Sequence, residues 1–441
     1  MNRLLTGTLN APRCRRSKYE RPLFFAVSLL LLARPGAGAV NGSHDTEFEK
    51  YPLDKWVSET SQARLRWRVE IPQPELSTHQ RLMLRVVTHV DGREIEKRRG
   101  GGNLMTLLQV RDTQGHIWQN HEVLDLSRAP RNAQSSEFTL TYFAFVLPGD
   151  YSVTVALCNP ATLEHSVIGR KVHVAPLRAE PLPGAWTGIP PVEFIQSPEG
   201  PPDIWYLPEI QEHLQVALRP AHPVHLQVLV NTTPSERAAA SVSTMRRNMS
   251  VAIPALKIFS QLDAPGSTLD AVLLDLMHRR IPFEQTDVQV LDWARMRNYF
   301  LSLQPGLVDV ATLQGQWKMR RFFLEEVTRR LTQKSEAVPV VIILSGPAFF
   351  ENPEAMATMA MEPEAGRRLF YIRYRTPSVR IQRVRVRPGM RPPVPLPALD
   401  PMPLDDLERT LEPFGARIFD ATSAEQFRRV LAAILEQISK I

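Results

Sequence analysis

The sequence predicts a multidomain protein. An N-terminal antiparallel β-sandwich is followed by a C-terminal α/β domain with a doubly wound, mainly parallel sheet. Three observations carry this prediction. Apolar residues alternate with polar ones through most of residues 63–174, the period of a half-buried strand. From residue 224 onward, short, mainly apolar runs alternate with helix-length amphipathic stretches, the signature of a parallel sheet covered on both faces. Finally, 441 residues, 43% of them hydrophobic, suffice for two ordinary cores.

The N-terminal segment comes first in the chain. Arg13, Arg15, Arg16, Lys18 and Arg21 precede an apolar run over 23–33, and the small residues Ala37, Gly38 and Ala39 precede Val40. Basic, apolar and small-residue segments in that order predict a secretory signal over 1–39, cleaved near Ala39, and hence an exported protein, periplasmic or secreted. The apolar run is shorter than the ~20 residues a membrane-spanning helix needs, so no transmembrane segment is expected in the mature chain. The basic residues of this leader supply most of the formal +7, which leaves the mature protein nearly neutral and argues against nucleic acid as a partner. Cys14 leaves with the leader and Cys158 remains alone, so an internal disulfide is excluded. Cys158 ends an alternating run and is expected to be a buried apolar residue.

An extension over 40–62 leads into the sandwich, placed at 63–180. Its first strand shows Leu65, Trp67, Val69 and Ile71 alternating with Arg64, Arg66, Arg68 and Glu70. Further strands are expected at 82–90, 104–110, 138–147, 151–157 and 167–174, with Pro148-Gly149-Asp150 joining two of them as a hairpin. Short strands separated by turn signals predict an Ig-like arrangement. Residues 181–223 form a connection whose prolines, interspersed with Trp186, Trp205 and Tyr206, predict an ordered linker that packs on its neighbours.

In the α/β domain, 224–441, strands are expected at 224–230, 269–276, 288–293, 338–344, 369–373 and 416–420. A first long helix buries Val242, Met245, Met249, Leu256 and Phe259 and is kinked by Pro254; a second covers about 316–331. The last helix opens at Ser423 with Gln426 as its capping-box partner and turns Phe427, Val430, Leu431, Ile434 and Ile438 to one face.

The order of these elements, the strand ending in Leu229-Val230-Asn231, the strand running into Ser345-Gly346 and the closing segment 415–438 resemble a von Willebrand factor A (vWA) domain of the bacterial exported type. The resemblance covers about half of the chain and implies a Rossmann-type sheet. It also implies a metal-ion-dependent adhesion site above the strand ends, built from DxSxS, a later Thr and a second Asp. Here the DxSxS position reads Asn231-Thr232-Thr233-Pro234-Ser235, the later Thr falls on Thr312, and the second Asp is replaced by Ser345. Both carboxylates are missing, and hard cations gain much of their affinity from ligand charge. The degenerate site is therefore expected to hold no metal or other cofactor. Asn231, Thr233, Ser235, Thr312 and Ser345 are expected instead to form a crest that contacts a partner. Thr233, Pro234 and Glu236 also fit a helix start, as N-cap, first helical residue and N3 partner.

Nine arginines lie between Arg367 and Arg391, with no acid between Gly366 and Leu399. Arg380, Arg383, Arg385 and Arg387 belong to a basic, proline-rich insertion over 376–403. They read either as protection of an exposed edge or as contact with an anionic surface. No nucleophile elbow, zinc-binding helix, phosphate loop or dinucleotide fingerprint occurs, and the pair His116 and His121, close to Glu122, sits in a strand-rich stretch without a third ligand in sight. The expected function is that of an exported, non-catalytic binding or scaffold protein whose vWA-like domain contacts a protein or cell-surface partner. The rivals are a metal-dependent adhesion module with a rearranged site and an exported hydrolase with an unrecognised one.

Overall fold

The computed structural model describes residues 48–59, 65–129, 133–195, 214–233, 242–302, 318–333, 335–348, 350, 368–374 and 405–441. The leader, Ser235, Thr312 and the insertion with Arg380, Arg383, Arg385 and Arg387 lie outside these residues.

A short helix α1 (Leu53–Ser58) precedes two antiparallel sheets. The first joins β1 (Trp67–Glu70), β2 (Glu75–Leu76) and β3 (Leu82–Asp91) to later strands, and helix α2 (Gly92–Arg98) follows β3. Next come β4 (Asn103–Asp112), β5 (Ile117–Asp125), β6 (Glu137–Val146), β7 (Gly149–Cys158), β8 (His165–Val174) and β9 (Val192–Phe194). One sheet is ordered β1-β3-β6-β9, with β2 also paired to β3, and the other β5-β4-β7-β8. Alternation explains the stacking: Leu84 and Val86 of β3, Tyr142 and Ala144 of β6, Leu108 and Val110 of β4, and Val153 and Val155 of β7 share one core. Burying each such aliphatic side chain stabilises the fold by about 1.5–3 kcal/mol. The proline-rich connection is ordered where it is described, and Val192–Phe194 within it pairs with β6 as an edge strand.

The second half opens with β10 (Val216–Ala217), β11 (Val224–Asn231), the helix α3 (Val242–Phe259), which continues through Pro254, and β12 (Leu262–Asp263). It goes on through β13 (Thr268–Asp275), β14 (Arg280–Gln285), helices α4 (Trp293–Ser302) and α5 (Met319–Leu331), and β15 (Val338–Ser345). β16 (Leu369–Tyr374), helix α6 (Asp406–Leu411), β17 (Arg417–Ala421) and helix α7 (Ala424–Ile438) complete it. The mixed sheet has the order β14-β13-β11-β15-β16-β17; only β14 runs antiparallel to its neighbour.

All eight residues of β11 are buried, as a central strand covered on both faces requires. Leu226, Val228 and Val230 pack under α3 and α7, whereas Leu229 faces the opposite core beneath α5 and α6. Helix α7 is capped by Ser423, whose Oγ accepts the Gln426 amide at 3.2 Å. The Gln426 side chain reaches one residue beyond the expected box, accepting the Thr422 amide at 2.8 Å.

The strand expected at 288–293 is absent. Val288 and Leu291 are buried while Val290 is 75% exposed, a spacing that breaks the period of two. Gln285 holds this segment as a loop: its Nε2 donates to the Val290 carbonyl and its Oε1 accepts the Asp292 amide. Asp292 in turn accepts the Arg295 amide at the start of α4, and the edge strand is β14 instead.

The two halves meet through buried polar groups. Arg428 of α7, 2% exposed, grips both oxygens of Glu180 at 2.8 and 2.9 Å and lies 4.9 Å over the Trp186 ring. Gln80, in a left-handed conformation with φ 60, donates to the Ala424 carbonyl, while its own carbonyl accepts from Trp186 and Arg428. Arg81 pairs with Glu193 on the same seam.

Candidate functional site

In the six-stranded sheet the chain order reverses between β11 and β15, and ligands of open α/β sheets bind beyond the carboxyl ends of the strands at such a point. Three sequence-predicted residues come together there. Asn231 closes β11 and Ser345 closes β15; the Asn231 Nδ2 donates to Ser345 Oγ at 2.9 Å. The Asn231 Oδ1 accepts the Thr233 amide at 3.0 Å, and Ser345 Oγ donates to the Gly346 carbonyl at 2.6 Å. Thr233 reaches sideways: its Oγ1 accepts the amides of Leu276 and Met277, at 2.8 and 3.3 Å, where the chain leaves β13. This side chain therefore fixes a neighbouring turn. Glu236 lies outside the described residues.

This donor set does not fit a divalent cation. Asn231 and Ser345 are 4% and 0% exposed, and the side-chain oxygens of both, like that of Thr233, are engaged in hydrogen bonds within the chain. The carboxylate at the end of β13, Asp275, is committed to His278 and Arg280. Among the described residues no group of three or more His, Cys, Asp or Glu is placed to hold a metal.

Two features of this end of the sheet escaped the sequence reading. One is the turn between β13 and β14, where Asp275, 6% exposed, accepts His278 Nδ1 at 2.7 Å and Arg280 Nε at 3.1 Å. An Asp at the end of an apolar strand, followed closely by His278-Arg279-Arg280, was the available signal. Beside it, the Tyr299 hydroxyl of α4 lies 3.1 Å from Thr232 Oγ1, and burial, with Asp275 adding its charge, pushes that phenol up to about 12.

The other feature is Arg373, the register partner of Ser345 and 7% exposed in its side chain. Its guanidinium binds Asp405 at 3.0 Å, both oxygens of Asp420 at 2.7 and 3.2 Å, and Glu408. Burial works to lower the Arg373 pKa, but these carboxylates override it and hold the cation far above its usual range. Asp405 also caps α6, accepting the Glu408 amide at 2.7 Å. The cluster is a clamp that joins β16, β17 and α6.

In the sandwich, His116 pairs with Asp112 at 2.8 Å and is largely exposed, whereas His121 and Glu122 lie on β5. Burial raises the Glu122 carboxyl above its ordinary value. Cys158 is fully buried, and burial pushes its thiol up to about 12. Among the described residues no helix is long and apolar enough to cross a membrane.

No family model matches the chain, and no curated protein does. It is similar to a solved calcium-binding mutant of Bacteroides uniformis beta-glucuronidase 2, at 8% identity over 64% of this chain and 36% of that one, with a TM-score of 0.17. The chain thus spans about a third of that protein's length, and so loose a superposition carries no argument for fold or activity.

Proposed function

We propose that the chain is an exported, non-catalytic binding or scaffold protein. In this reading the α/β domain is a vWA-like module of Rossmann type that captures a protein partner at its crest without a metal, with the buried Asn231 and Ser345 shaping the crest from beneath instead of touching the partner, and an Ig-like sandwich positions it. The carrying observation is the hydrogen bond from Asn231 to Ser345, which joins two positions that the resemblance would assign to metal ligands. Support for the α/β reading comes from the strand order with its reversal at β11 and β15 and its antiparallel edge strand. The N-terminal pattern of basic, apolar and small residues supports export.

Two measurements test this. The mature chain and a variant carrying Asn231→Ala, Thr233→Ala and Ser345→Ala are compared for partner capture from an envelope fraction. Capture that survives all three changes removes the crest as the binding surface. Thermal unfolding in EDTA, then with Mg²⁺, Ca²⁺ or Mn²⁺ added, is expected to show one unchanged midpoint, since only a ligand of the native state raises it. A saturable rise with one cation overturns the metal-free mechanism.

A further inference from the structure

The turn between β13 and β14 stands at the crest, one strand from Asn231. It is a four-residue turn, Leu276 to Arg279, closed by the Arg279 amide donating to the Leu276 carbonyl at 3.3 Å. Arg279 holds φ at 51, a left-handed conformation costly for a residue with a Cβ. Thr233 pins the first two amides of this turn from the neighbouring strand. The backbone of the tip is thus held from both sides.

Its side chains are held as well. Asp275 uses one oxygen, Oδ2, for both His278 Nδ1 and Arg280 Nε, and the other for the His278 amide at 3.2 Å. Asp275 is buried, while the side chains of His278 and Arg280 are 39% and 53% exposed. A guanidinium serving Asp275 alone would meet it side-on with two nitrogens; Arg280 gives it only Nε. The Arg280 Nη1 and Nη2 and the His278 Nε2 have no hydrogen-bond partner among the described residues. In the imidazolium form, Nε2 donates as well. One buried carboxylate therefore aims two basic side chains outward.

We infer that the β13–β14 turn is an acid-recognition element, with Arg280 and His278 receiving carboxylates from an Asp- or Glu-rich segment of a protein partner. This rests on the crest reading proposed above and names the partner's chemistry. A planar guanidinium edge matches a carboxylate bidentately. A polypeptide fits better than a lipid surface, because none of the exposed large apolar side chains among the described residues belongs to this turn and could insert into a bilayer.

The test uses the whole chain and fluorescein-labelled hexaglutamate, followed by anisotropy at low and high salt, with labelled hexalysine and phosphatidylglycerol vesicles as comparisons. Hexaglutamate is expected to bind, hexalysine not, and the affinity to fall as salt screens the charges. Arg280→Gln and His278→Gln should each weaken binding about tenfold, as expected for loss of one charge-assisted contact. Arg280→Lys, which keeps the charge without the fork, should lie between. Because both side chains also satisfy the buried Asp275 carboxylate, the Gln variants should melt below the parent. Binding is therefore compared at a temperature where every variant is folded, and the Lys variant, which keeps the charge, keeps the comparison valid.

Failure of hexaglutamate to bind, or equal binding by the Arg280→Gln/His278→Gln double variant, overturns the inference. So does vesicle binding that is lost in the double variant when hexaglutamate is not bound, which reassigns the turn to a lipid surface. If hexaglutamate fails while the crest variants still abolish partner capture, only the acidic class falls and the crest reading stands.

Discussion

The side-chain amide of Asn231 bridges the ends of two parallel strands by donating to the hydroxyl of Ser345, and both groups are almost wholly buried. The same Asn231 accepts the Thr233 amide through Oδ1. Removing this side chain strands two partners away from water. Asn231→Ala should therefore cost about 2 kcal/mol, the penalty of leaving buried polar groups unpaired, read as a lower urea midpoint with an unchanged slope. A loss below the error of that measurement would mean that water replaces the amide at the crest.

Adding charge provides the converse test. Asn231→Asp with Ser345→Asp places two carboxylates where the wild type has neutral groups. The double variant should be less stable than the parent in EDTA and should recover on addition of Mg²⁺ or Ca²⁺, because a cation bound only by the native state stabilises it. Absence of any recovery would show that the strand ends do not have the spacing of a cation site.

Arg428 and Glu180 hold the junction between the halves. The guanidinium is 2% exposed and makes a two-point contact, so Arg428→Ala leaves a half-buried carboxylate without its cation. A loss of about 3–5 kcal/mol is expected for breaking such a pair. The accompanying sign is a split calorimetric transition, one step for each half; a single, merely lowered transition would place the coupling elsewhere.

His79 gives the junction a sensitivity to acid. Burial first, then the charges of Lys257 and Arg81, push its ring down to about 3 from the ordinary 6.5. The unfolded chain therefore binds more protons at this residue between those two values. Its contribution to stability is complete above pH 6.5 and is lost as pH falls toward 3. His79→Phe keeps a ring against Phe145 and should flatten the fall of melting temperature over that window. Parallel curves for variant and parent would show that His79 does not titrate differently on folding.

Cys158 should be inert in the native protein. With the thiol buried and its pKa near 12, the thiolate is scarce at neutral pH. A thiol reagent at pH 8 is expected to label it only at the rate of global unfolding, rising with urea. Fast labelling in buffer would show that β7 opens locally.

The parts of this fold that were legible in the sequence are those whose signal is local. β15 stands out because its buried residues leave an almost uninterrupted apolar run over 338–344. The sandwich strands stand out because β3 and β6 alternate. β5 hides, since most of its residues are partly buried and show no clear period. Residues 288–293 misled because Val288, Val290 and Leu291 look strand-forming, whereas Gln285 binds that stretch as a loop. At the crest, Asn231, Thr233 and Ser345 could be named from the resemblance. That Thr233 would reach Leu276, and that Asp275 would aim His278 and Arg280, depended on register between strands. The Arg428 contact to Glu180 spans 248 positions, and no local pattern announces it.

The junction also sets an order of events. The hydrogen bond from Arg428 to the Gln80 carbonyl joins residues 348 positions apart, so this seam cannot close until both have been made. Contacts so distant in sequence form slowly, because a long loop must be ordered before they stabilise anything. The two halves are therefore expected to fold as separate, open-seamed units, and helix α7 is the element that locks them together.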